Sequence, residues 1–286
     1  MTARPDDPEL TNPRAERVKA VRALSGRSAR QRSGLFVAEG PQAVREAVRF
    51  AAVRDLYATP AAAERYGEIL VDARERGVHL HPTADDVMAA MSADAQGLLA
   101  VVAAEPATLA DILGAGPTLV AVLANVRDPG NAGTVIRVAD AAGADAVVLT
   151  AESVDLHNPK TVRATAGSLF HLPVVTGVAL ETVVSALRAA GLAVLAADGA
   201  GEHDLDDLLD LASPMGDPAA GGARAGDPDL VRPTAWIFGN EAWGLSPADL
   251  GLADAVVRVP IRGQAESLNL AAAATVCLYA SARAQR

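Results

Sequence analysis

The sequence predicts a two-domain α/β protein, and three observations carry that prediction. Short apolar runs alternate with segments of helical spacing along almost the whole chain. Gly114-Ala115-Gly116-Pro117 interrupts the alternation and marks a linker after a first domain that ends near Glu105-Pro106. Beyond it, Thr118-Leu119-Val120-Ala121-Val122-Leu123-Ala124 is a continuous apolar run of the kind a parallel sheet buries on both faces.

The elements follow in order. Residues 1–13 hold three prolines and three acids without periodicity, so a disordered tail is expected. Val18, Val21 and Leu24 recur at helical spacing among cations, which predicts a basic amphipathic helix over 15–24. A strand at 35–38 is stopped by Glu39-Gly40-Pro41, and a helix over 42–50 follows. Strands at 53–58, 78–80 and 98–104 enclose helices at 61–76 and 85–91, completing a small domain over 14–106. After a linker at 107–117, the second domain is expected to run from 118 to 286. Its first strand, 118–124, leads through a turn at 128–133 into a helix at 134–142. A strand at 146–149 completes a βαβ unit. A helix at 185–190 closes on Gly191 before a strand at 192–196. The Gly-, Pro- and Asp-rich stretch 200–232 reads as a mobile acidic insertion. Strands at 236–238 and 256–261 and an alanine-rich helix at 268–284 close the chain, without internal repeats.

Composition excludes several classes. Half of the 286 residues are apolar, so a sizeable core is available and global disorder is excluded. A single cysteine, Cys277, rules out an intrachain disulfide framework or a cysteine zinc cluster, and five histidines without HExxH spacing lead us to expect no metal. No apolar run approaches the roughly 18 residues of a membrane span and no signal peptide is evident, so a cytoplasmic location is expected. Aromatics at 3% argue against a single-strand binder built on stacking platforms. The net charge of −10 is unevenly distributed: eight acids against two arginines between 201 and 232 supply −6 of it. Seven cations face one acid between Arg14 and Arg32. Whole-chain charge is thus a poor guide to partners. Arginine outnumbers lysine 23 to 2, so arginine by itself is not read as phosphate recognition.

Three segments could carry chemistry. Asp128-Pro129-Gly130-Asn131-Ala132-Gly133 lies between a buried strand and a helix, where open α/β sheets bind ligands; it also reads as a plain turn with Asn131 or Thr134 capping the helix. Arg137 is either a polar-face arginine or a phosphate contact near the helix N-terminus. Gly239-Asn240-Glu241-Ala242-Trp243-Gly244-Leu245 ends a strand with two glycines around an acid, which suits a sharp bend. Pro260 through Ser267-Leu268-Asn269 joins the last strand to the last helix, with Ser267 a candidate N-cap.

In this order the three segments resemble the motifs of the SpoU (TrmH-like) RNA ribose 2′-O-methyltransferases of the SPOUT superfamily. The stretch Pro159-Lys160-Thr161-Val162-Arg163-Ala164-Thr165-Ala166-Gly167 is similar too, with threonine at 165 where the family usually has serine. Phe36-Val37-Ala38-Glu39-Gly40 loosely resembles the start of the L30e-like substrate-binding domain that many members carry. The resemblance implies a C-terminal SPOUT domain with a parallel sheet and a trefoil knot, preceded by a small L30e-like domain, assembled as homodimers with the site at the subunit interface. It implies S-adenosylmethionine (AdoMet) held by Gly239, Val259, Ile261 and Leu268. It further implies methylation of a ribose 2′-OH in structured RNA, ribosomal before transfer RNA, by Asn131, Arg137, Glu241, Ser267 and Asn269. Arg22, Arg27, Arg30, Arg32 and Arg163 are the candidate RNA contacts. Two other classes stay open at this level: a Rossmann-type nucleotide-binding enzyme, disfavoured by the absence of a GxGxxG turn, and an inert RNA-binding module on the same fold.

Overall fold

The computed structural model describes residues 8–212 and 227–286. The described chain forms two compact units, one of 8–105 with 155–171, the other of 106–154 with 172–212 and 227–286.

The first unit runs α1 (Glu16–Ala23), α2 (Arg27–Ser33), β1 (Leu35–Glu39), α3 (Pro41–Phe50), β2 (Val53–Ala58), α4 (Pro60–Arg65), α5 (Gly67–Glu75), β3 (His79–Pro82), α6 (Asp85–Met91) and β4 (Leu98–Ala103). The sheet order is β1-β4-β2-β3, with β4 antiparallel to both neighbours and β2 parallel to β3. Period-two alternation buries both faces. Phe36, Leu56, Leu98 and Val102 pack with Val44, Ala47 and Ile69 on one side. Val37, Tyr57, Leu99 and Val101 pack with Val18, Val21, Leu24 and Met88 on the other. The expected single helix over 61–76 is two helices, broken at Tyr66, whose backbone (φ −120°, ψ 38°) is not helical. Within the expected tail, Leu10 pairs with β3: its N–H donates to Pro82 at 2.8 Å and its carbonyl accepts from Ala84 at 3.0 Å. Residues 1–7 lie outside the described residues.

The second unit opens with a helix that the linker reading missed, α7 (Leu109–Gly114), started by a Thr108/Asp111 capping box. It continues through β5 (Leu119–Leu123), α8 (Pro129–Ala142) and β6 (Ala146–Thr150). The chain then leaves: α9 (Pro159–Ala164) and a 3₁₀ turn (Ser168–Phe170) belong to the first unit, where Val162 is in the core. The second domain is therefore interrupted at 155–171, whereas the sequence reading ran it unbroken from 118. It resumes with β7 (Val174–Val178), α10 (Leu180–Ala189), β8 (Ala193–Ala197), β9 (His203–Asp204), α11 (Leu205–Leu211), β10 (Thr234–Phe238), α12 (Pro247–Leu250), β11 (Ala255–Arg258) and α13 (Leu270–Ala284). All seven strands are parallel, in the order β7-β6-β5-β10-β8-β11-β9. Trp236 in β10 is wholly buried, and its indole N–H donates to Ser281 of α13 at 2.8 Å.

The acidic insertion is partly structural. His203 and Asp204 add an edge strand beside β11, and Leu205, Leu208 and Leu230 are buried. Those leucines supply the apolar area that the overall Gly/Pro/Asp content concealed. Its part over 213–226 lies outside the described residues.

Candidate active site

The three motif segments converge at the carboxyl ends of β5, β8, β10 and β11, where the strand order reverses and open α/β sheets form their ligand crevice. Asp128, not Asn131 or Thr134, caps α8: its carboxylate accepts the Asn131 backbone N–H at 2.8 Å, and Pro129 takes the first helical position. The motif is thus the helix's first turn rather than a loop before it, which leaves the Asn131 side chain free to reach outward. Its Nδ2 donates to Glu241 Oε1 at 3.3 Å, and its Oδ1 accepts from Asn269 Nδ2 at 3.1 Å. The Glu241 carboxylate also accepts the backbone N–H groups of Asp128 (3.3 Å) and Arg127 (3.4 Å). Asn269, not Ser267, caps α13, accepting from Ala271 N at 2.9 Å. One residue from each segment is thereby linked in a polar chain, Glu241–Asn131–Asn269.

The 239–245 loop is pinned. Asn240 and Gly244 exchange backbone hydrogen bonds, and the Asn240 amide donates to the Asn125 carbonyl at 2.7 Å. A Cβ on Gly239 would lie 2.4 Å from the Gly244 carbonyl carbon, so glycine is required here by the loop folding back on itself. The Arg127 guanidinium lies over the Trp243 ring, 5.4 Å from its centroid.

These elements surround a cleft of about 430 Å³. Its walls include Gly239, Val257, Val259, Ile261, Leu268 and Ala273, and Ile261 and Leu268 remain exposed. Asp198, Glu241 and Glu266 bring three carboxylates to it. Asp198 lies outside the three motif segments, and Glu266, though inside the third, was not assigned a role by the sequence. Ser267 also lines the cleft. Arg137 does not join the polar chain. It is exposed on α8 without a side-chain partner among the described residues. Six residues beyond Asn131, it projects about 120° around the helix from it.

Two of the five candidate RNA contacts are engaged within the first unit. Arg30 is buried, donating to the Leu24 and Ser25 carbonyls and pairing with Asp155 at 2.6 Å. Arg163 pairs with Glu39 at 2.8 Å and Asp94 at 3.0 Å. Both are held in ion pairs, Arg30 buried and Arg163 partly exposed, whereas Arg22, Arg27 and Arg32 remain exposed. The expectation of no metal site passes over His79-Leu80-His81. The structure gathers potential ligand atoms of Asp55, His79 and His81 within 4.8 Å of one another, and the Arg17 guanidinium lies 2.8 Å from the His81 ring. A cation is already seated there.

Residues 118–279 match the SpoU rRNA Methylase family, more than half of the chain. The chain belongs to the SpoU rRNA methylase family. Residues 15–100 match an MRM3-like substrate binding domain. Among SpoU-family relatives, the 23S rRNA (guanosine(2553)-2′-O)-methyltransferase RlmP of Bacillus subtilis is 31% identical over 95% of this chain and 98% of its own. The 23S rRNA (uridine(2479)-2′-O)-methyltransferase of Streptomyces viridochromogenes is 39% identical over 54% of this chain, a match spanning about half of that protein. The AdoMet-bound rRNA methyltransferase of Sinorhizobium meliloti superposes with a TM-score of 0.77 at 30% identity, covering 96% of this chain and 97% of that one. The SpoU methyltransferase AviRb of S. viridochromogenes, in complex with AdoMet, gives 0.76 at 30% identity over 94% and 98%. SpoU membership displaces the Rossmann-type alternative.

Proposed function

We propose that this SpoU-family protein transfers the methyl group of AdoMet to a ribose 2′-OH of 23S rRNA in the cytoplasm. The observation that carries the reading is the meeting of the Glu241–Asn131–Asn269 chain with exposed apolar walls in one cleft. The donor set fits AdoMet. Val259, Ile261 and Leu268 offer surface for an adenine and a thioether chain, and Asp198, Glu241 and Glu266 favour the positive sulfonium and ammonium groups. When bound, the donor supplies an electrophilic methyl group. Asn131, Glu241, Ser267 and Asn269 orient the ribose, an arrangement that Glu241 stiffens through its two backbone N–H partners. Arg137 anchors phosphate and stabilises negative charge developing on O2′; a guanidinium stays protonated, so its role is electrostatic.

The working unit is a homodimer in which Arg137 of one copy completes the cleft of the other. Arg137 lacks a side-chain partner among the described residues, and α13, whose Val276 and Tyr279 are exposed, reaches α8 through the Tyr279 hydroxyl, which donates to the Ala141 carbonyl one helical turn from Arg137. The knot belongs to the same proposal: β10 and β11 enter between strands laid down earlier, the pattern a threaded C-terminus would leave. Arg22, Arg27 and Arg32 contact RNA phosphates. Incubation with methyl-labelled AdoMet and separate 23S rRNA and tRNA transcripts tests the activity. An alkali-resistant, 2′-O-methylated dinucleotide from 23S rRNA is expected; label in tRNA alone, or in neither, overturns the reading.

A further inference from the structure

The chain has two tryptophans in opposite surroundings. Trp236 is wholly buried and hydrogen-bonded, whereas Trp243 is 55% exposed. Yet Trp243 is not on a loose segment. Asn240 and Gly244 bracket it with two backbone hydrogen bonds, and the Asn240 side chain ties the loop to Asn125 and to the Ala242 N–H. Arg127 lies over the indole, and the backbone N–H of the same Arg127 donates to Glu241. Its sequence neighbours Ala242 and Gly244 line the cleft. An indole with a fixed backbone, backed by a cation and set at the cleft mouth, is a prepared planar surface.

We propose that Trp243 is a stacking platform for one nucleobase of the RNA substrate, with Arg127 behind the indole. Every base offers a π face, and a cation near an aromatic ring adds its own attraction, so the surface recognises a base by its plane. A single platform also agrees with the low aromatic content, which is too sparse for tracking a strand. The proposal rests on the RNA methyltransferase reading of the same cleft, and the test separates the two.

Trp243 emission is followed while the full chain is titrated with a ten-residue adenosine oligonucleotide and with an abasic ribose-phosphate strand of equal length. Buried Trp236 supplies a constant background. The adenosine strand is expected to quench and the abasic strand is not. Trp243→Ala is expected to abolish the quenching and raise KM for 23S rRNA about tenfold, the scale of one stacked base, with AdoMet affinity by calorimetry unchanged. Trp243→Phe recovers most of that loss. Equal quenching by both strands, or an unchanged KM in Trp243→Ala, overturns the platform. So does failure of iodide to reach Trp243 in RNA-free protein, which would mean that another copy covers it. If base-dependent quenching persists while no 23S rRNA is methylated, the platform stands and the substrate assignment falls.

Discussion

His157 is partly buried in the first unit, its ring stacked on that of Phe36 with centroids 4.3 Å apart. Burial pushes its pKa below the usual 6.5, with nearby Arg30 adding to the effect and Asp155 opposing it. The folded protein then binds fewer protons than the unfolded chain near that pH, so stability is lost as pH falls through 6.5. Thermal unfolding is expected to shift to lower temperature between pH 7.5 and pH 5.5, and His157→Phe is expected to flatten that dependence. A wild-type curve with no slope in this window would contradict it. The arginines divide at the same scale. Neutralising Arg22, Arg27 and Arg32 together is expected to weaken RNA binding and reduce its salt slope, since fewer counterions are released, at unchanged unfolding temperature. Arg30→Ala is expected instead to destabilise, because it strands Asp155 and two carbonyls. Sequence alone places Arg30 among seven similar cations, for its carboxylate partner lies 125 residues away. No local spacing reports such a pair.

Among the elements, those with dense apolar patterns were legible: β5, α3 and β4 fall within a residue or two of their expected bounds. The beginning of α8 was not: it starts at Pro129, five residues before the expected 134. Proline and glycine in Asp128-Pro129-Gly130 resemble turn chemistry, yet Asp128 with Pro129 is an equally good helix start; the same residues suit both, and only the observed cap, Asp128 accepting from the Asn131 backbone N–H, decides between them. At the site, the motif residues Asn131, Glu241 and Asn269 were legible, whereas Arg137 lies apart from them in its own chain. Asp198 was hidden because it follows an ordinary buried strand. The insertion misled through averaging, since three buried leucines are few among many polar residues. Leu208→Ala in α11 is expected to lower stability by about 2–5 kcal/mol in chemical denaturation. Replacing 202–230 by a short Gly/Ser linker is expected to expose α13 and lower the unfolding temperature; an unchanged midpoint would show that α11 is dispensable.

For the whole molecule, Cys277 offers a report on closure of the second unit. Burial in α13 pushes its thiol up to about 12, so alkylation at pH 8 is expected only after denaturant opens the unit. The shared-site proposal makes a sharper claim. Arg137→Ala and Asn131→Ala are each expected to lose transfer by orders of magnitude, but mixed dimers of the two variants contain one intact cleft and regain activity. Absence of any recovery in verified mixed dimers would place both residues in one chain's site.

Residues 155–171 also bear on how the protein is made. A nascent chain emerges from its N-terminus, so the first unit cannot finish its core when residue 105 leaves the ribosome. Val162 and the counter-charge Asp155 are still to come, and β5, α8 and β6 are synthesised before them. Neither unit is therefore a contiguous module that a gene fusion could transplant. A fragment ending at 105 would carry Arg30 without its carboxylate and a core missing one wall, and it would enter the crowded space at the tunnel exit as a substrate for chaperones.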